Sequence, residues 1–202
     1  ILIRITGKDR PGLDAEVMNI LADYDTKIQD IGQACIHATL SMGILVRIDS
    51  AHSGHMMKDL IFKASEIGVN IEFSAVTDEE YENWVARQGK NRYILTILGR
   101  ELTAATIGAT CRIITDQKLN IDGIRRLSGR QSINTPQDKV KACIEFSLRG
   151  TPKDVHELQA QLMHIAPSMG MDFSFQQDNM YRRMRRLICF DMDSTLIQTE
   201  VI

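Results

Sequence analysis

Hydrophobic positions along this chain change period in a fixed order. Residues 1–6, Ile-Leu-Ile-Arg-Ile-Thr, alternate as a half-buried strand does. Past Gly-Lys-Asp-Arg-Pro-Gly, the residues Leu13, Val17, Ile20, Leu21 and Tyr24 recur at helical spacing. Two strand-like stretches follow, 27–38 and 40–48, divided by a polar turn around Thr39. A second helix is predicted with Met57, Leu60, Ile61, Ala64 and Ile67 on one face and Gly68 as its stop. Residues 70–76 close the unit as a strand, so the predicted order is β-α-β-β-α-β.

The same order then returns. Residues 92–98 read as a strand, and Ile107, Cys111 and Ile114 mark a helix. Residues 120–127 and 141–150 are the paired strands. Val155, Leu158, Leu162, Ile165 and Met169 mark the next helix, and 170–176 closes. Identities support duplication, since Ile-Glu-Phe-Ser at 71–74 parallels Met-Asp-Phe-Ser at 171–174. The offset grows from 92 at Gly7/Gly99 to 100 at Ile71/Met171, so the second copy is about eight residues longer. The loop at 128–139, rich in turn residues, is the place for them. The fold class is thus α/β in the α+β sense: two tandem ferredoxin-like units, each with helices on one face of an antiparallel sheet. Unit one is predicted at 1–78, a polar linker at 79–90, and unit two at 91–179. Free sheet faces and edges predict pairing, including a homodimer through the sheets.

The tandem resembles the ACT family of small regulatory domains, which bind amino acids on enzymes of amino-acid metabolism. Its most specific piece is Gly7 to Leu13, Gly-Lys-Asp-Arg-Pro-Gly-Leu. Pro11 suits the first turn of a helix, where a missing N–H costs nothing. Gly12 allows a close approach to the backbone, and free amides at a helix start favour a carboxylate. Asp9 is placed to meet an ammonium. Amide donors beside a carboxylate are what an α-amino acid requires, and the resemblance implies L-serine as an effector. The same residues also make a good turn and helix cap, and both readings stand on the sequence. The second copy has Gly99-Arg100-Glu101-Leu102, with no Pro-Gly, and its role is read as structural.

Residues 180–202 form a third part. Leu187–Phe190 is a short apolar run that ends at Asp191 and Asp193. A buried parallel strand gives such a run, and side chains two apart on it share a face. Two carboxylates there call for a hard dication such as Mg²⁺, or for one of them to be protonated. Asp191-Met192-Asp193-Ser194-Thr195-Leu196 resembles the first motif of the haloacid dehalogenase superfamily, and 180–202 would begin its Rossmann-like catalytic domain. Together with Glu200 and the two ACT-like units, the resemblance is to the long bacterial form of the phosphoserine phosphatases. It implies Asp191 as nucleophile and Asp193 as general acid and base. Mg²⁺ would be held by the Asp191 carboxylate and the Asp193 backbone carbonyl. Glu200 would meet the ammonium of O-phospho-L-serine. The alternative is a non-catalytic amino-acid-binding or dimerisation module, or a related phosphatase acting on another ester. The family also uses a Ser or Thr, a Lys and a later acidic pair, so these 202 residues by themselves are expected to be inactive.

Composition narrows the rest. A net charge of −2 gives no general attraction to nucleic acid or anionic membrane. Four scattered cysteines, Cys35, Cys111, Cys143 and Cys189, fit reduced thiols in a cytoplasmic protein. No apolar run reaches the ~18–20 residues that span a bilayer. The chain starts at Ile1 inside a strand, and both ends read as cut. Four arginines among 182–186 are read as a domain junction pairing acidic neighbours, and His52 and His55 as parts of a polar loop.

Overall fold

A computed structural model describes residues 1–89, 91–130, 132, 134 and 141–183. Two units divide the chain, Ile1–Arg87 and Gln88–Ile202. The first runs β1 (Leu2–Lys8), α1 (Leu13–Asp23), β2 (Lys27–Ile36), β3 (Thr39–Arg47), α2 (Ser50–Ile67), β4 (Val69–Ser74) and α3 (Asp78–Ala86). The second runs β5 (Arg92–Gly99), α4 (Ala104–Asp116), β6 (Asn120–Arg126), β7 (Ala142–Arg149), α5 (Val155–Met169), β8 (Met171–Gln177) and α6 (Met180–Arg183). Both sheets are antiparallel with equivalent orders, β2-β3-β1-β4 and β6-β7-β5-β8.

Alternation decides which side chains enter each core. Ile3 and Ile5 of β1 and Leu40, Met42, Ile44 and Val46 of β3 are all at most 3% exposed. Leu13, Val17 and Leu21 of α1, with Met56 and Leu60 of α2, complete that core. In the second unit Leu95, Ile97, Ile144, Phe146 and Leu148 meet Ile114, Leu158 and Leu162. Along α1, α2 and α5 these side chains recur every four residues, the spacing of a single buried stripe.

The register lines up residue against residue. In the first sheet the middle row reads Gly32–Gly43–Arg4–Glu72. In the second it reads Arg125–Glu145–Thr96–Ser174. Both rows lie on the outer face, away from the helices, because they alternate with the core residues. One edge strand of each sheet also breaks register at the same place, between Ile28 and Asp30 in β2 and between Ile121 and Gly123 in β6.

Several local expectations are corrected. The stretch 79–90 contains α3 rather than only a polar linker. Thr77 caps it, accepting from the Glu80 N–H, while the Glu80 carboxylate accepts from the Thr77 N–H at 2.9 Å. This reciprocal pair forms a capping box that fixes a helix start in a polar sequence. The duplication reaches into this element, with Asp78 and Tyr81 matched by Asp178 and Tyr181. On α2 the buried stripe is Met56, Leu60 and Ala64, and Ile61 faces outward at 52% exposure. His52 and His55 belong to α2, because Asp49 caps the Ala51 N–H and starts the helix ahead of Gly54. Pro11 stands before the helix cap rather than inside the first turn, since α1 begins at Leu13 with Gly12 as its cap.

Candidate functional site

The junction of β1 and α1 places the candidate amino-acid site. Gly12 has φ 90° and ψ −10°, a left-handed conformation open to glycine at little cost. No side chain caps the start of α1. The helix opens with the Glu16 N–H donating to the Gly12 carbonyl at 3.0 Å, and a Cβ on Gly12 would meet nothing within 4 Å. Backbone donors at this end are therefore approachable. Asp9, Pro11 and Gly12 are all exposed.

The loop is held from the neighbouring hairpin. The Asp9 N–H donates to the Ala38 carbonyl at 2.8 Å, tying the junction to the β2–β3 turn. The Cys35 thiol hydrogen-bonds the Asp9 carboxylate, and that bond raises the thiol pKa above its ordinary value. Arg10 pairs with Glu16 at 2.8 Å. Cys35 and Ala38 were not singled out from the sequence. The signal was there in principle, because pairing Lys8 with Thr39 brings the hairpin turn to the end of β1.

The second unit ends β5 differently. Thr103 accepts from the Thr106 N–H at 3.1 Å, so a side chain closes the start of α4. A cavity beside it is lined by Arg100, Glu101, Thr103, Thr106 and Met169, among others. The two helix starts are thus chemically unlike, one uncapped behind a glycine and one sealed by a hydroxyl.

The other candidate residues, Asp191, Asp193 and Glu200, lie outside the described residues. Among the described residues no three His, Cys, Asp or Glu side chains gather as a metal site would need. None of the described helices is long and apolar enough to cross a membrane.

Comparison with known proteins supports the architecture. Residues 1–74 match the ACT domain family model. The whole chain aligns with a phosphoserine phosphatase of Streptomyces coelicolor at 31% identity, covering 46% of that protein. It aligns with a phosphoserine phosphatase of Mycobacterium tuberculosis at 29% identity, again covering 46%. The chain therefore spans about half the length of the curated relatives it matches. Among solved structures, an unknown protein from Galdieria sulphuraria superposes with a TM-score of 0.65 at 15% identity. That superposition covers 88% of this chain and 97% of that one, and it bears on the fold alone. Residues 1–74 thus fit the ACT domain family, and the chain as a whole is similar to phosphoserine phosphatases about twice its length.

Proposed function

We propose that this chain contains the regulatory domains and the first catalytic motif of a phosphoserine phosphatase. The reaction is hydrolysis of O-phospho-L-serine to L-serine and phosphate, the last step of serine biosynthesis, in the cytoplasm. The observation that carries this reading is Asp-Met-Asp-Ser-Thr at 191–195, in a chain whose full length aligns with two phosphoserine phosphatases.

In this reading an oxygen of the Asp191 carboxylate attacks phosphorus, and the serine oxygen leaves as the aspartyl-phosphate forms. Asp193 protonates that departing oxygen, then takes a proton from the water that cleaves the aspartyl-phosphate. Glu200 orients the substrate through its ammonium. The donors, the Asp191 carboxylate and the Asp193 carbonyl, are hard oxygen ligands that suit Mg²⁺. When bound, that ion offsets negative charge on the phosphoryl oxygens. The first ACT domain supplies an amino-acid site at Asp9, Pro11 and Gly12, with L-serine as effector. Chains pair as homodimers through their sheets.

One assay tests the core of this. Phosphate release from O-phospho-L-serine is measured in the protein that contains this chain, with and without added L-serine. Asp191→Asn is expected to abolish turnover. Retained turnover in that variant ends the nucleophile assignment, and insensitivity to L-serine ends the effector assignment.

A further inference from the structure

We propose that Arg182 is a latch that fixes how the chain leaves the second unit. Its guanidinium lies 3.0 Å from Glu145 on β7 and 3.6 Å from Asp178, just past β8. This pins α6 against the outer face of the second sheet. The inference concerns residues 92–183 and stands whatever chemistry the residues beyond perform.

Three observations converge on it. First, the carboxylate is shielded. The Glu145 side chain is only 12% exposed although it sits on the outer face, opposite the helices. A pair in that setting is screened less by water and salt than an exposed one. Its other oxygen takes Arg125 at 3.3 Å, and the Arg125 side chain is 74% exposed, so Arg182 is the better sheltered partner. Second, Ile94 is 4% exposed while the neighbouring core residues Leu95 and Ile97 point to the opposite face. The outer face is thus closed at Ile94, two residues along β5 from the Arg92 carbonyl that the Asp178 N–H bonds. Third, the backbone turns back under local control. The Asp178 N–H donates to the Arg92 carbonyl at 2.8 Å, and the Arg182 N–H donates to the Asn179 side chain at 3.1 Å.

The duplication sharpens the point. The first sheet has Gly43 where the second has Glu145, and Gly32 where it has Arg125. Its only ion pair in that row joins Arg4 to Glu72, both well exposed. The first unit therefore has no carboxylate at the latch position, and the second does. The feature belongs to the copy whose closing helix leads into residues 184–202, so it is read as a positioning device and not as a leftover of the shared fold.

Amide exchange at Asp178 and Arg182, followed residue by residue in the whole chain, tests the latch. Glu145→Gln and Arg182→Gln are each expected to speed exchange at these two amides by about three- to tenfold. The double variant should be no faster than Arg182→Gln alone, because that change already removes the contacts to both Glu145 and Asp178. Amides of Ile144, Phe146 and Leu148 should keep their rates. Acceleration under about twofold in either single variant, additive effects in the double, or equal acceleration along β7 would overturn the proposal, the last by showing a general loosening of the sheet.

Discussion

Replacing Gly7 by alanine is the sharpest test of how the first unit is packed. Gly7 opens the junction that carries the candidate site, and it pairs across the sheet with Val69. A Cβ there would lie 2.6 Å from Val69 Cγ1, 2.9 Å from its Cβ and 3.1 Å from its Cα. Ordinary carbon contacts sit at about 3.5–4.0 Å, so all three are too close. Rotating Val69 removes only the first, because Cβ and Cα move with the backbone. Val69 follows Gly68, which ends α2 at φ 72°, so its own backbone has little freedom to retreat. The ends of β1 and β4 must part, at a cost of about 1–3 kcal/mol for overpacking. Trp84, the single tryptophan, lies in α3 of the first unit, so its fluorescence during urea unfolding reads that unit selectively. Val69→Ala clears the closest contact, and in the Gly7→Ala background it should cost about 1 kcal/mol less than alone. A shift under about 0.5 kcal/mol for Gly7→Ala, or strict additivity with Val69→Ala, would refute the packing argument.

Two further expectations concern titration. The Glu80 carboxyl is held below its ordinary pKa by the Thr77 N–H and then by the Thr77 hydroxyl. A depressed carboxylate stabilises the fold above its unfolded pKa, near 4.5, and that contribution is lost as pH falls through the lower folded value. Acid titration followed by Trp84 emission should therefore show α3 weakening below pH 4.5, and Thr77→Ala should shrink that step by removing the hydroxyl's share while the backbone N–H at position 77 still donates. At the other junction, the Asp9 carboxylate keeps the Cys35 thiol protonated to higher pH than usual. Thiolate is the reactive form, so alkylation of Cys35 should be slow at pH 8–9 and faster in Asp9→Ala. Equal rates in the two proteins would remove the hydrogen bond from the account.

Much of the fold is legible in the sequence because its two signals rarely conflict. Period-two alternation in Leu40–Val46 and in Ala142–Leu148 names the central strands, and those side chains are indeed the core. The errors arise where one residue outweighs a pattern. Asp49 draws the start of α2 back through His52, Gly54 and His55, against the turn-forming look of that stretch. The Thr77–Glu80 cap makes a helix of residues too polar to show a hydrophobic stripe. Spacing puts Ile61 in the core, yet the buried stripe of α2 runs through Met56, Leu60 and Ala64 and leaves Ile61 exposed. At the site, the sequence marks Gly12 for a close approach to the backbone, and its left-handed conformation is a separate reason for glycine there. The bond from Cys35 to Asp9 was not readable, since it depends on hairpin register rather than on neighbouring letters. The reading of Arg182 as a junction residue finds its acids in Glu145 and Asp178, which lie 37 and four positions earlier in the chain.

The shared break in β2 and β6 bears on behaviour in a crowded solution. Both are outermost strands, and β2 carries Ile28, Ile31 and Ile36 in the open. A straight ribbon with that complement would template one molecule after another into fibrils. The extra residue interrupts its row of amides and carbonyls and twists the strand, so an incoming ribbon finds matching partners along only part of its length. Both copies keep this irregularity in the same spot, so neither outer strand offers a neighbouring molecule an unbroken row of partners.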